Sequence, residues 1–184
     1  MAEPELQQIF AADAAGARRP LRIDPETLRT SVLGILAENV LCSLATTASD
    51  GTAHVNAVYF AYTEALELVF LSHPASNHCQ NLRRRPEVAV AIYASGQAWT
   101  GPDRGIQLFG AAAEAVGAAA AAATRCYAGR FRGFTAWQDA LSPGDLGRQY
   151  RLYRVEIARL KLLDEPLWGE GVFVQATVAR PPRP

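Results

Sequence analysis

Residues 68–93 read LVFLSHPASNHCQNLRRRPEVAVAIY and change twice between apolar and polar character. Their two apolar ends belong to strands predicted at 66–72 and 88–94, because both ends are rich in valine, leucine and aromatic residues. The polar stretch at 74–85 predicts a short helix that stops before Pro86. The fold is therefore expected to join two strands through a helical crossover.

Short β segments continue on both sides of this unit. Turn residues such as Ser49, Asp50 and Gly51 separate neighbouring apolar runs, and this turn chemistry is typical of antiparallel connections. The other predicted strands span residues 40–47, 53–62, 104–116, 150–163 and 172–178. Six or seven strands in an antiparallel meander, with helices around them, predict a mainly β (α+β) fold that closes into a β-barrel.

Two further helices have clear signals in the sequence. Asp24 is a favourable N-cap with Pro25 at the first helical position, and apolar residues then recur on one face until about Asn39. The segment 117–131 is rich in alanine, which has the highest intrinsic helix propensity. Both are expected to pack on the barrel as peripheral helices.

The chain is expected to form one main domain preceded by an N-terminal arm. With 184 residues, 49% of them hydrophobic, it is long enough to bury one core. Residues 5–19 predict a helix that ends at Pro20. We therefore expect residues 1–24 to be an arm, exposed or wrapped on a partner subunit, and residues 25–180 to be the domain.

The charge balance excludes several classes of partner. Eighteen Lys and Arg balance eighteen Asp and Glu, so the strongly basic field that attracts nucleic acid or anionic membranes is missing. No stretch approaches the roughly 20 apolar residues that span a bilayer. The start MAEPELQQIF has an acid where a signal peptide carries basic residues. A cytoplasmic protein is expected.

The turn before the crossover helix is a candidate anion site. Ser76 is a suitable N-cap, and the free N–H groups of a helix start favour a phosphate. Ser72, Asn77 and His78 add hydrogen-bond donors at the same place. A capped surface helix without a ligand explains the same residues, so both interpretations stay open.

Other common chemistries lack support in the sequence. His73 and His78 are five residues apart across a proline, and metal centres need three or four converging ligands. Neither the hydrolase motif GxSxG nor a nucleotide motif of the Walker or GxGxxG type occurs. We therefore expect no metal site and no hydrolytic triad.

Two polar residues stand out within the predicted strand 53–62. His54 and Asn56 alternate onto the same face as Val58 and Phe60. On a half-buried strand such groups either pair with a neighbour or contact the polar edge of a planar ligand.

Three consecutive blocks carry a resemblance to a known family. They read SLATTASDGTAHVNAVYF, LVFLSHPASNHCQNLRRRPEVAVAIY and RGIQLFGAAAEAV, within residues 40–116. In content and order they resemble the pyridoxamine 5′-phosphate oxidase-like family of the FMN-binding split β-barrel superfamily. The resemblance implies a six- to seven-stranded antiparallel split barrel and a homodimer with FMN at the subunit interface.

The resemblance also implies nine cofactor-binding positions. They are Asn56, Ala61, Leu71, Ser72, Ser76, Asn77, His78, Gly105 and Gln107. Four of the nine stand where the oxidases have cationic residues, namely Asn56, Ala61, Asn77 and His78. Fewer fixed charges are then left for a phosphate, and Arg83 or Arg104 is expected to assist.

The implied activity is that of an FMN-dependent oxidoreductase, with hydride transfer between a small-molecule substrate or donor and an acceptor. Leu163 stands where the oxidases have a tryptophan, so vitamin B6 oxidation is not expected and the chain is closer to the general-stress and reductase-like relatives. One alternative is a deazaflavin-dependent reductase on the same fold. Another is a non-catalytic protein that binds flavin, or binds haem through His73 or His78.

Overall fold

A computed structural model describes residues 4–180, in which nine strands alternate with five α-helices and one 3-10 turn. The strands are β1 Glu5–Ala12, β2 Arg18–Arg19, β3 Leu41–Thr47, β4 Ala53–Tyr62, β5 Glu67–Ser72, β6 Glu87–Tyr93, β7 Arg104–Glu114, β8 Arg151–Asp164 and β9 Phe173–Ala179. The helices are α1 Pro25–Glu38, α2 Asn77–Arg84, α3 Ala118–Arg130, α4 Phe134–Ala140 and α5 Glu165–Trp168. None of the helices within these residues is long and apolar enough to cross a membrane.

Six antiparallel strands close the barrel in the order β3, β4, β5, β8, β7, β6, with β6 returning to β3. The long strand β8 pairs with β7 along one side. On its other side it pairs first with β5 and then with β9. This division of one strand between two partners confirms the split barrel. The strand order differs from a simple meander because α2 carries the chain from β5 to β6 across the barrel.

The predicted N-terminal helix at 5–19 is wrong. Residues 5–12 form β1, which pairs with β9 and continues the sheet into β2. A bulge with Gln8 at φ 49° lets both Leu6 and Ala11 reach the core. The helix propensity of this segment is overridden because β9 has an open edge, and its backbone groups need hydrogen-bond partners.

Helix α1 forms as the sequence predicts. The Asp24 side chain accepts hydrogen bonds of 2.8 Å from both the backbone N–H and the hydroxyl of Thr27. At the other end, Arg130 of α3 donates to the carbonyl oxygens of Leu36, at 2.8 Å, and Asn39. A cation at a helix C-terminus satisfies carbonyls that have no partner within the helix, so α1 and α3 are tied together.

The core has two parts. Inside the barrel lie large aliphatic and aromatic side chains, among them Leu44, Phe60 and Leu162, which are fully buried. A second cluster lies outside the barrel, where Tyr127 of α3 packs over Ala61 of β4 and Val69 of β5. The alanine-rich helix is therefore packed against the barrel wall.

The outer surface of β3, β4 and β6 carries mostly small residues. Cross-strand pairing places Ala57, Ser43 and Ala91 in one row and Val55, Ala45 and Ala89 in the next. We call these six residues the outer sheet face. The two residues that β4 contributes to this face, Ala57 and Val55, are exposed, and Val55 is 62% accessible to solvent. An exposed, mostly apolar surface of this kind is typical of an interaction surface.

Candidate functional site

The turn between β5 and α2 brings three of the predicted site residues into contact. Ser76 is the N-cap of α2, as expected, but its hydroxyl makes no bond to the helix N–H groups. It lies instead 3.2 Å from Ser72 Oγ and 3.1 Å from His78 Nε2. Ser72 Oγ lies 2.6 Å from the same nitrogen. We call Ser72, Ser76 and His78 the serine–histidine cluster.

Two members of the cluster are buried, and the third, Ser76, is half-buried. Ser72 is 6% exposed and His78 is 5% exposed. The His78 ring lies between Phe70, at a centroid distance of 6.1 Å, and the stacked ring of His54, at 6.4 Å. Burial lowers the pKa of His78 from its usual value, because the charged imidazolium loses its hydration. At pH 7 His78 is therefore neutral, and its Nε2 is hydrogen-bonded to both serine hydroxyls.

We expect neutral His78 to make the free energy of unfolding fall as the pH is lowered from about 7 to about 5. Unfolded chains take up a proton at this histidine near pH 6.5, whereas burial lowers its pKa in the folded state. Because the unfolded state then binds more protons, stability is lost on acidification by up to about 1.4 kcal/mol per pH unit until the folded pKa is passed.

Denaturant unfolding of two variants checks this dependence. His78→Gln should have a flatter pH profile than the wild type, whereas His73→Gln should keep the wild-type slope. An unchanged slope in His78→Gln would show that another group is responsible.

His73 is held apart from the cluster by its own bonds. Its Nδ1 accepts a hydrogen bond of 3.1 Å from the N–H of Ala75, so Nε2 carries the proton and donates to Gln149 Oε1 at 3.0 Å. Its ring also makes an edge contact with Tyr150, at 5.8 Å. Both ring nitrogens are thus occupied within the protein.

The ring of His54 stacks on that of the cluster's histidine, and Arg151 is the sheet neighbour of Ser72, although its guanidinium donates to the carbonyls of Arg148 and Tyr150. His54 and Asn56 face the same side of β4 as Val58, as the alternation predicts. Arg151 is paired with Ser72 across β5 and β8, which places their Cβ atoms about 5 Å apart. This cation was missed by sequence reasoning, since the register of β8 against β5 cannot be deduced from either strand alone.

The remaining predicted residues near the turn differ in accessibility. Asn77 is exposed at the first position of α2. Ala61 is 1% exposed beneath α3, and the half-buried Leu71 packs on the same outer cluster. Within one protomer the side chains of Ala61 and Leu71 therefore pack in the outer cluster with α3 rather than in the serine–histidine cluster.

Gly105 and Gln107 line a separate cavity of about 320 Å³. A Cβ atom on Gly105 would lie 3.2 Å from Tyr93 Cβ and 3.3 Å from a backbone oxygen of Ile92, so β6 and β7 approach closely here. Gln107 is exposed and is paired with Lys161, whose ammonium lies 4.2 Å from the centre of the Phe173 ring. The cavity thus combines an amide, a cation and aromatic walls.

Arg104 belongs to this second cavity. Its Nε donates to Asp164 at 3.1 Å, and another nitrogen donates to Glu38. Ser31 also donates to Asp164, at 2.5 Å. The guanidinium is therefore bound within the cavity wall and does not reach the serine–histidine cluster. Arg83, also expected to assist, is exposed in the last turn of α2.

The two groups of site residues lie at opposite ends of β8. Ser72 is paired with Arg151 and Gln107 with Lys161, ten residues further along the strand. At about 3.3 Å per residue this is a contour of about 33 Å. One protomer therefore does not bring all nine predicted residues together.

The larger groove of the molecule contains none of the nine. It measures about 1070 Å³ and runs over the outside of β7 and β8, where Phe109 and Arg159 contribute to its walls, as far as Ala45 and Ala89 of the outer sheet face. Within residues 4–180, no three His, Cys, Asp or Glu side chains are grouped so as to hold a metal ion.

Three solved structures illustrate how widely this fold occurs. A haem-binding protein from Mycobacterium smegmatis is 18% identical with a TM-score of 0.66, and the match covers 85% of this chain but only 59% of that protein. The haem storage protein HutZ from Vibrio cholerae is 16% identical, with a TM-score of 0.56 over 84% of this chain and 96% of HutZ. General stress protein 26 from Bacillus anthracis is 18% identical, with a TM-score of 0.54 over 74% and 94%. At these low identities, the TM-scores above 0.5 show a shared fold.

The sequence itself matches one family. No curated protein sequence matches the chain significantly. The family profile described as pyridoxamine 5′-phosphate oxidase, however, matches residues 28–162, from α1 through most of β8 and more than half of the chain. This match confirms the resemblance of the three sequence blocks. The chain belongs to the pyridoxamine 5′-phosphate oxidase family.

Proposed function

We propose that this protein is an FMN-dependent oxidoreductase whose cofactor lies between two copies of the chain. The observation that carries the proposal is the serine–histidine cluster at the start of α2. It combines two hydroxyls and an imidazole with the first N–H groups of a helix, which favour a phosphate. The exposed amide of Asn77 adds a donor on the solvent side.

We infer that a second copy is needed from the distance that separates the two sites along β8. A flavin whose phosphate lies at the cluster cannot also contact Gln107 of the same protomer, because the two sites are at opposite ends of the strand. Pairing two protomers through the outer sheet face supplies the phosphate turn from one copy and the Gln107 cavity from the other. The small residues of that face allow two sheets to approach closely.

The residues present fit such a cofactor. Bound FMN would supply the hydride-transfer chemistry, so the protein needs no acid–base pair of its own. The serine–histidine cluster would hold the phosphate. In the second cavity, the Gln107 amide would orient the polar edge of the ring and Lys161 would add positive charge beside it. Small-molecule substrates would enter from the open side of that cavity.

A cofactor titration tests the proposal. Purified protein should bind FMN with the visible absorbance of protein-bound flavin, and a nicotinamide donor should bleach that absorbance. Riboflavin, which lacks the phosphate, should bind more weakly. A protein that takes up deazaflavin but not FMN would reject FMN as the cofactor. Bound FMN that no nicotinamide donor reduces would instead indicate a flavin-storage protein.

Haem binding is the second candidate. It is favoured by the names of two structures that share the fold, the M. smegmatis haem-binding protein and HutZ. His73 and His78 are the candidate axial ligands, and each would lose hydrogen bonds that it makes within the protein. A Soret band that disappears in His78→Ala or His73→Ala would support this candidate over flavin.

A further inference from the structure

We propose that the protein binds a phosphorylated substrate through Arg159 and Lys161, two cations on the outward face of β8. We call these two residues the cationic pair. The inference rests on the proposed function, because it assigns a substrate class to the same enzyme, but it concerns a surface other than the serine–histidine cluster. At the cationic pair the two cavities adjoin, since Arg159 lines the larger groove and Lys161 lines the second cavity.

A bulge in β8 turns the cationic pair outward. Phe109 of β7 pairs with Arg159 but Gly110 pairs with Ile157, so one extra residue lies between them on β8. Side chains alternate between the two faces of a strand, and an extra residue reverses the alternation. The side chains that β8 sends into the barrel core accordingly change from odd to even numbers: Tyr153, Val155 and Ile157, then Leu160 and Leu162. Without the bulge both cations would point into the core.

Each cation rests on an aromatic ring and has no acidic partner. The guanidinium carbon of Arg159 lies 5.1 Å from the centre of the Phe109 ring, just as Lys161 lies over Phe173. Within residues 4–180, neither cation forms an ion pair with a carboxylate. An aromatic face attracts a cation without accepting its hydrogen bonds in the way a carboxylate does. The N–H groups of both side chains are therefore available to an anion.

The surroundings of the cationic pair do not neutralise it. Its cross-strand neighbours on β7 and β9 are all uncharged, namely Phe109, Thr177, Gln107 and Gln175. The same two rows continue into the small residues of the outer sheet face. Glu156, further back on β8, is bound to Arg180 at 3.5 Å, and Glu87 lies on β6, two strands away. Two positive charges therefore face this surface together.

A phosphate group matches this arrangement. Successive outward residues of a strand are about 7 Å apart, so the long side chains of arginine and lysine can both reach one ligand group. A phosphate monoester carries a charge close to −2 at pH 7 and three acceptor oxygens, and a guanidinium binds it with two parallel hydrogen bonds. A carboxylate would need only one of the two cations.

The two cavities supply places for the rest of such a substrate. The larger groove is floored beside the cationic pair by small residues such as Ala111 and Ala113, and its volume of about 1070 Å³ would hold a molecule of nucleotide size. On the other side, Lys161 is paired with Gln107, where the flavin ring is proposed to lie. A substrate held by its phosphate between the cavities would thus have its reactive part beside the ring.

Two hydride donors test the inference. NADH carries a pyrophosphate, whereas 1-benzyl-1,4-dihydronicotinamide has the same reactive ring without a phosphate. With FMN-loaded protein, Arg159→Gln should raise the KM for NADH by about tenfold or more, the order expected for lost hydrogen bonds to a charged group, and should leave kcat unchanged. The KM for the uncharged donor should stay at the wild-type value. Raising the ionic strength from about 0.01 M to about 0.15 M should weaken only the reaction with NADH.

Two further variants and a binding measurement serve as controls. Arg159→Lys keeps the charge and should retain most of the affinity for NADH. Arg125→Gln removes the same charge from an exposed position on α3 that lines neither cavity, so it should match the wild type. Calorimetry with inorganic pyrophosphate and FMN-loaded protein reports on the anion site without catalysis, and Arg159→Gln should weaken this binding by a similar factor.

The possible failures are distinguishable. Equal effects of Arg159→Gln on the two donors, or no effect on either, would overturn the role of the cationic pair and leave the proposed function intact. Loss of the dimer in Arg159→Gln would show that a second copy occupies this surface, and would also overturn it. If neither donor reduced bound FMN, the oxidoreductase function would be rejected. Pyrophosphate binding that is weakened in Arg159→Gln but not in Arg125→Gln would then still support the anion site, and its absence would overturn it.

Discussion

Replacing Gly110 with alanine is expected to lower the free energy of unfolding by more than about 4 kcal/mol. Gly110 lies at a bulge, where Phe109 pairs with Arg159 but Gly110 pairs with Ile157. A Cβ atom there would lie 2.0 Å from the carbonyl oxygen of Glu156. That oxygen belongs to the backbone of β8 and cannot rotate away. The pair β7–β8 would have to separate at the middle of the barrel.

Denaturant unfolding of Gly110→Ala and Gly129→Ala gives a matched comparison. Gly129 lies within α3, and a Cβ there meets no atom within 4 Å. The control should therefore be stabilised by about 0.5–1 kcal/mol, the usual gain for Gly to Ala in a helix. If Gly110→Ala stayed within about 1 kcal/mol of the wild type, the two strands would not approach as closely as described.

Introducing arginine at Ala57 is expected to convert a dimer into monomers and to weaken FMN binding by at least about a hundredfold, or about 2.7 kcal/mol. Ala57 is exposed on the outer sheet face, so the isolated protomer should tolerate the change. In a two-fold symmetric interface the substitution enters twice, and two guanidinium groups would meet in a surface made for small residues. The flavin site proposed above would then lose the half that the second protomer is proposed to supply.

Light scattering and FMN titration of Ala57→Arg should be compared with Ala122→Arg. Ala122 is exposed on α3 and is not part of the outer sheet face, so its variant should remain a dimer and bind FMN normally. A monomeric Ala57→Arg protein that still binds FMN tightly would contradict a cofactor site shared between protomers.

Most strand positions were predictable because turn residues and apolar alternation are local signals. The strand predicted at 53–62 is Ala53–Tyr62, and the helix after Asp24 runs over Pro25–Glu38. The helix predicted at 5–19 was wrong because the conformation of this segment is not determined by a local signal. Its conformation depends on the open edge of β9, far along the chain, and a bulge at Gln8 hides its alternation.

The site was likewise predictable only where its residues are close together in the sequence. The turn from Ser72 to His78 was identified because a strand end, an N-cap and a helix start are contiguous in the sequence. The pairing of Arg151 with Ser72, and the position of Gln107 at the other end of β8, are matters of register between distant strands. Such register depends on packing inside the closed barrel, so it cannot be predicted from a local sequence pattern.

Strand β8 also determines when this protein can complete its fold during synthesis. The free edges of β5 and β7 both pair with β8, and β9 with its N-terminal partner β1 joins the sheet through it. Until residues 151–164 have left the ribosome, those two edges lack the strand that pairs with them in the folded protein. Unpaired apolar strand edges are templates for association with other chains. The nascent protein is thus most exposed to aggregation just before its longest strand emerges.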